Sequence, residues 1–359
     1  MKISKKQFFK CLLSIIVAIL LFFIGCCSLN FILVPPALST IIEVVMKDVK
    51  NQTENIDIFF CGSSRTYRSI NSVALSNKLN KNVFNIAYEN SNYYSTYYLL
   101  NEIFKKNNPE KIFLEVSTTN FTREESTENL FIYRTLTGKN KTEFAKGLEL
   151  NYFESNLFDF TNHLNNFSNE RFLRNIKIKF SNNPNLGDTI SDSRTIYLGN
   201  GFMVAKYKAI DNEYSLPLSY FTNGMFWHED FVNQTQMEYF IKILELCKNN
   251  NVEVILYSPP YPYSIIEKHY DSFSVFDSFV ESLATENNVE YYGFSKIKKE
   301  FIELVNDYFY DAVHCTENGA NALQPVIKNM IEKIELNDFT KTDWFYQNYS
   351  EMIEDYNKM

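Results

Sequence analysis

Apolar positions along the chain fall into two kinds of run. The first is one continuous block. Cys11 to Val34, "CLLSIIVAILLFFIGCCSLNFILV", carries no charge over 24 residues, and about 20 suffice to cross a hydrocarbon core as a helix. Lys2, Lys5, Lys6 and Lys10 precede it and Pro35-Pro36 end it. The second kind is short and recurrent. Ile56 to Cys61, Val83 to Ala87 ("VFNIA"), Lys111 to Ser117 ("KIFLEVS"), Val252 to Ser258 ("VEVILYS") and Val289 to Ser295 ("VEYYGFS") read as strands. Between and after them the period changes to that of a helix. Ser91 to Asn108, Met237 to Asn250, Phe276 to Asn288 and the stretch after Glu317-Asn318-Gly319-Ala320 carry that signal. Short apolar strands separated by helices predict βαβ units. The expected fold class is α/β, a parallel sheet with helices on both faces.

Residues 122–230 break this rhythm. They are rich in Asn, Phe, Ser and Thr with little sustained periodicity, and they read as an insertion that caps one end of the sheet. The expected organisation is a stub and anchor at 1–36, an α/β domain at 50–335 and a polar, aromatic tail at 336–359 that is either a short docked helix or frayed.

The lysines before the apolar block favour a cytoplasmic N-terminus. The expected location is therefore the cytoplasmic membrane, crossed once by residues 11–34, with the rest of the chain extracytoplasmic. The competing readings are a cleaved signal peptide, for which the run is too long, and lipidation at Cys26. Composition changes the picture little. The formal charge of −8 and the lack of a basic stripe argue against nucleic acid as a partner. Only Cys61, Cys247 and Cys315 lie outside the apolar block, with no CxxC, so neither a disulfide framework nor a zinc site is indicated. No metal and no cofactor is called for.

The chemistry concentrates where strands end. In an open parallel sheet, ligands bind beyond the carboxyl ends of the strands. Gly62-Ser63-Ser64 follows the first strand, "NIAYENSN" the second, Ser117 to Asn120 the third, and "YDAVHCTENGA" (Tyr310 to Ala320) the last. Asp311 and His314 are three apart. That spacing lets the carboxylate fix the imidazole tautomer, and a serine at the other ring nitrogen would complete a proton-transfer chain. Of the four histidines, His163, His228, His269 and His314, only the last has both an acid at close spacing and a strand-end place. Each motif has a plain alternative. Gly-Ser-Ser is also a turn, a helix cap or a phosphate-binding corner. Arg65 is either an anion binder or a solvated or salt-bridged arginine. His228 is a substrate-wall residue or a structural one. Tyr88, Tyr93 and Tyr94 either stack on sugars or pack a helix face. Cys61 and Cys315 read as small packing residues.

"FFCGSSRTY" together with "DAVHCTENGA" resembles the SGNH/GDSL hydrolase superfamily. More narrowly it is similar to the membrane-anchored, extracytoplasmic members found with cell-envelope polysaccharide and teichoic acid modification. The likeness spans Ile56 to Asn120 and Val252 to Ile334. It implies a three-layer, flavodoxin-like fold, with Ser64 as nucleophile and Asp311 and His314 as its partners. It also implies an oxyanion hole from the Ser64 N–H, an N–H at Asn90 and the side chain of Asn120. The chain departs from the pattern at Ser63, which replaces an aspartate, at Asn90, where a glycine is usual, and at Thr118, where Gly-x-Asn is usual. Asn tolerates the left-handed backbone that such a glycine supplies. The resemblance implies a serine acyl-esterase or O-acyltransferase acting on cell-envelope carbohydrate. By analogy it also implies a membrane partner protein that provides the acyl donor. The departures keep a second reading open, a non-catalytic envelope module binding glycan or an assembly partner; a phosphate-binding corner without esterase chemistry is a third.

Overall fold

The computed structural model of the chain describes residues 4–34, 40–124, 130–149, 157–158, 160–161, 164, 169–180, 190–191, 195–207 and 227–358. In chain order its elements are α1 (Lys5–Leu33), α2 (Ile41–Asn51), β1 (Ile58–Cys61), α3 (Ser64–Ser69), α4 (Ser72–Leu79), β2 (Val83–Asn85), α5 (Tyr93–Ile103), β3 (Lys111–Glu115) and α6 (Thr118–Thr122). There follow α7 (Leu130–Thr135), α8 (Gly138–Gly147), α9 (Asn169–Lys179), the hairpin β4 (Thr195–Gly199) and β5 (Phe202–Ala205), and α10 (Gln234–Asn249). The chain closes with β6 (Glu253–Ser258), α11 (Tyr263–Glu286), β7 (Glu290–Gly293), α12 (Glu317–Glu335), α13 (Lys341–Trp344) and α14 (Tyr349–Tyr356).

Five strands form one sheet in the order β2-β1-β3-β6-β7, every pair parallel. Side chains alternate across it, as a pleat requires. Phe59, Cys61, Ile112, Leu114, Val254 and Leu256 face one layer, in which α2, α5 and α10 pack. Ile58, Phe60, Phe113, Ile255 and Tyr257 face the other, built largely from α12, the first half of α11 and the C-terminal segment. The α/β fold expected from the run pattern is thus present, with helices on both faces.

Three elements go beyond what periodicity suggested. Helix α2, most of which precedes residue 50, belongs to the core: Ile42, Val44 and Val45 are fully buried. Helix α11 begins at Tyr263, thirteen residues before the predicted start, and runs through a kink at His269 (φ −131°, ψ 21°). The tail is docked. Phe345 bridges to Ile297, and Trp344, Phe345, Tyr346, Tyr349 and Met352 are buried against the α12 side of the sheet.

The insertion contributes the β4–β5 hairpin, whose turn runs alongside β2: Asn85 donates its N–H to the Asn200 carbonyl (2.8 Å). Gly201, at φ +81°, lies so close to the Asn85 carbonyl that a side chain has no room there. Helix α1 is long and apolar enough to cross a membrane. Its C-terminal end meets the insertion: Asn30 donates to the Leu157 carbonyl (3.0 Å) and accepts from the Phe160 N–H (2.8 Å), and the Lys179 ammonium donates to the Val34 carbonyl (2.6 Å).

Candidate active site

The carboxyl end of β1 leads through Gly62 into Ser63, which caps α3 with its side chain. Ser64 is the first residue of that helix. The corner is anchored from β3. The Glu115 carboxylate is completely buried and accepts from the Ser63 N–H (2.6 Å), the Ser63 hydroxyl (2.8 Å) and the Thr66 hydroxyl (2.6 Å). Four of the carboxylate's contacts are thus taken by donors of one corner, counting the bond of the Ser63 hydroxyl to its second oxygen (2.9 Å). Gly62 is glycine because a Cβ there would lie 2.6 Å from Glu115 Cβ. Nothing in the motif logic singled out Glu115. The signal was a lone acid inside an otherwise apolar strand, "KIFLEVS", where burial demands hydrogen-bond donors nearby.

The partners of Ser64 come from the loop between β7 and α12. Phe309 and Cys315 form an antiparallel bridge, and Tyr310 donates its N–H to the His314 carbonyl (3.1 Å). The loop between them is tight. Asp311 Oδ1 accepts from the backbone N–H groups of Val313 (2.9 Å) and His314 (2.8 Å), and Oδ2 lies 2.7 Å from His314 Nδ1. Burial pushes the Asp311 carboxyl up, but the hydrogen bond and charge of His314 and the two N–H groups outweigh it and hold the group below the usual aspartate value. An ionised carboxylate can only accept, so Nδ1 carries the proton and Nε2 is the acceptor. His314 Nε2 lies 2.7 Å from Ser64 Oγ, within the 2.6–3.2 Å reach expected of a nucleophile and its base. The imidazole is also held from its face: the Tyr310 ring stacks on it at 5.4 Å and 8°, and Tyr207, from the strand end of the insertion hairpin, stacks on Tyr310 at 4.6 Å. Ser64 is half-buried, whereas Ser63 is buried, so the second serine of the pair is the one a substrate can reach.

Of the sequence candidates, the structure brings together Ser64, Asp311 and His314. It does not turn the Asn120 amide to Ser64. Both N–H groups of that amide are used at Ser91, on its carbonyl (3.0 Å) and hydroxyl (3.0 Å), and the amide oxygen accepts from Ser117 (2.5 Å). Asn120 therefore ties the loop after β2 to the loop after β3. Asn90 sits in an exposed turn at φ 56°, the left-handed backbone that its place required. The Ser64 N–H, at the first position of α3, lies outside the helical ladder and is the donor closest in sequence to the nucleophile. Tyr88, Tyr93 and Tyr94 are buried core residues. His228 is exposed and pairs with Asp230 (3.1 Å). Cys61 and Cys315 are buried free thiols; burial raises the first well above the usual value and pushes the second up to about 12. Arg65 is neither solvated nor in an ion pair among the described residues. It is 7% exposed, and its guanidinium donates to the Pro259 carbonyl.

No protein-family model matches the chain, and no curated protein does. Two solved structures share parts of its path. One, described as a "putative acylhydrolase" from Bacteroides fragilis NCTC 9343, is 12% identical, with a TM-score of 0.38 over 80% of this chain and 94% of that one. The other, a GDSL-like lipase from Bacteroides thetaiotaomicron VPI-5482, is 11% identical, with a TM-score of 0.39 over 83% of this chain and 99% of that one. Likeness at that level carries no argument about activity.

Proposed function

We propose that the chain is a membrane-anchored serine acyl-esterase or O-acyltransferase of SGNH type, facing outward from the cytoplasmic membrane and acting on cell-envelope carbohydrate. The observation that carries the acyl chemistry is the unbroken chain of contacts from Ser64 Oγ through the His314 ring to Asp311, at 2.7 Å for each link. His314 Nε2 takes the proton as Ser64 Oγ forms a bond to an ester carbonyl carbon. The tetrahedral oxyanion is met by the Ser64 N–H, and each well-aimed donor of this kind contributes about 3–4 kcal/mol to lowering the barrier. Asp311 stabilises the imidazolium. Collapse breaks the bond to the leaving alcohol, which receives the proton from His314. The acyl-Ser64 ester is then attacked by water or a sugar hydroxyl, whose proton passes to His314 and from it to Ser64 Oγ as the bond to the acyl carbon breaks, which restores the free serine and the neutral imidazole.

The aspartate that resemblance would place at residue 63 is absent, and the buried Glu115 supports a reading in which an acid from the neighbouring strand holds the corner in its stead. The four lysines before the apolar helix support the outward orientation. The envelope carbohydrate, and an acyl-donor partner in the membrane, rest on the resemblance of the motifs. A fluorophosphonate probe tests the chemistry: it should label the full-length protein and fail to label Ser64→Ala. Equal labelling of both folded proteins would reject the acyl-serine mechanism and favour the glycan-binding module.

A further inference from the structure

The apolar helix has one covered face. Phe22, Cys26 and Asn30 are spaced four apart and so share one side of α1. The insertion lies along that side. The Phe158 ring meets the Phe22 ring at 6.1 Å, and the Asn30 amide bonds to Leu157 and Phe160. Cys26, between them, is 5% exposed, whereas Phe23, Ile24 and Leu29 are exposed. Nearer the end of the helix, Phe180 packs edge-on against Phe31 (5.7 Å, 75°). The Lys179 ammonium donates to the Phe31 and Val34 carbonyls.

These contacts have a depth. About 20 residues cross a hydrocarbon core; counted from Cys11, the first residue after Lys10, they end at Asn30. Phe22 then lies about 12 Å inside the core, at a rise of about 1.5 Å per residue. Sliding the helix until Phe22 reached the boundary would start the crossing at Ile3. Lys5, Lys6 and Lys10 would then enter hydrocarbon, each at a high cost. Phe158, which touches Phe22, is carried to the same depth. Non-helical backbone survives there only where its polar groups are bonded. The Asn30 amide takes the Leu157 carbonyl (3.0 Å) and the Phe160 N–H (2.8 Å). The Phe158 carbonyl accepts from the Thr161 N–H (2.9 Å) and hydroxyl (2.7 Å).

Helix α9 continues this surface at the level of Phe31. Its sequence holds Arg171, Arg174, Lys177 and Lys179 against one acid, Glu170. Leu173 is 64% exposed, and Phe180 is 70% exposed. The Phe180 N–H still bonds to the Ile176 carbonyl (3.1 Å), so the two apolar side chains, seven residues apart, share one side of the helix. A basic helix that holds apolar side chains outward is suited to the boundary between headgroups and acyl chains.

We infer that the insertion is a second membrane-contacting element, with an anionic lipid surface as its partner. Phe158 enters the hydrocarbon beside α1. Helix α9 lies at the interface, with Leu173 and Phe180 among the acyl chains and Lys177 at the headgroups. The same insertion reaches the loop of His314 through Tyr207 and Tyr310, so its seat in the bilayer would fix how the site faces the membrane. The inference rests on α1 crossing a membrane, as proposed above, and on none of the acyl chemistry.

Tryptophan fluorescence of the full-length chain tests it, in vesicles of phosphatidylcholine and phosphatidylglycerol. The added emission of Phe158→Trp and of Phe180→Trp is read over the background of Trp227 and Trp344, measured in the wild type. The phosphatidylcholine is then exchanged for one brominated at mid-chain, and iodide serves as the aqueous quencher. Brominated lipid should remove most of the added emission of Phe158→Trp and a smaller share of that of Phe180→Trp, and iodide should leave Phe158→Trp unquenched. Leu20→Trp, within α1, and Leu336→Trp, exposed at the C-terminal end of α12, set the lipid and aqueous limits. Lipid quenching of Leu20→Trp, with both insertion tryptophans answering only to iodide, would overturn the inference and leave the anchor standing; the exposed face would then belong to a protein partner. No lipid quenching even of Leu20→Trp would overturn the anchor and the inference together. Phe180 is exposed, so its variant decides alone where Phe158→Trp does not fold.

Discussion

Asp311 is the residue on which the proposed proton chain depends without touching substrate. Its folded pKa is held below the unfolded value of about 3.9. Its contribution to stability is therefore complete above that value and drains away as pH falls through the lower, folded value. Asp311→Asn should unfold at a lower temperature than the wild type at pH 6. The gap should narrow as the pH approaches 3, a trend that unfolding curves at a series of pH values would show. At neutral pH the same change should lower kcat by several hundred-fold or more, on the order of 10⁴ in comparable triads, because an amide no longer selects the tautomer with Nδ1 protonated. At this scale the sequence was readable where roles were encoded locally. Asp311 and His314 share one loop, and Ser64 follows a glycine at a strand end. Glu115 was not readable, because its contact with Ser63 exists only once β3 lies beside β1. The bond of the Asn120 amide to Ser91, 29 residues away, was hidden for the same reason, a partner no local pattern reveals.

Among the elements, the turn from β1 into α3 is the most constrained. Gly62 has no space for a methyl group against Glu115 and Thr66. Gly62→Ala should displace the carboxylate and with it the Ser63 N–H. Overpacking of this kind costs about 1–3 kcal/mol, and a shift of the serine by about 1 Å can cost on the order of 10²-fold in rate. Urea unfolding and ester hydrolysis measured on the same preparation check both. The C-terminal segment makes a second prediction. Deleting residues 341–359 removes Trp344, Phe345, Tyr346, Tyr349 and Met352 from the core. Each buried side chain of this size contributes about 1.5–3 kcal/mol, so the loss approaches the whole stability of an ordinary domain. The truncated chain should fail to give a cooperative unfolding transition. The five sheet strands were legible because each is a compact apolar run bounded by turn residues. Their ends were less so: Val116 and Ser117 continue the apolar reading of β3, yet the ladder ends at Glu115, where the carboxylate turns to serve the corner. The tail was ambiguous because its rings are interleaved with acids, and only the receiving surface on α11 and β7 decides that they are buried.

On the scale of the whole molecule, the apolar helix, the sheet and the loop between β7 and α12 make one arrangement. The C-terminal end of α1 is held by residues of the insertion at Asn30 and Val34. A different part of the same insertion reaches the imidazole through Tyr207 and Tyr310. The insertion thus touches both the apolar helix and the loop that carries His314, a connection hidden in a stretch with no periodicity to read. The central claim, that Ser64 is a nucleophile, is tested most directly by intact mass and peptide mapping of the full-length protein after brief exposure to p-nitrophenyl acetate. A transient acetyl group on the Ser64 peptide of the wild type, absent from Ser64→Ala, is the predicted result. A folded wild-type protein that neither turns over the ester nor carries the acetyl group would contradict it, and Gly62-Ser63-Ser64 would then be a helix cap held by Glu115.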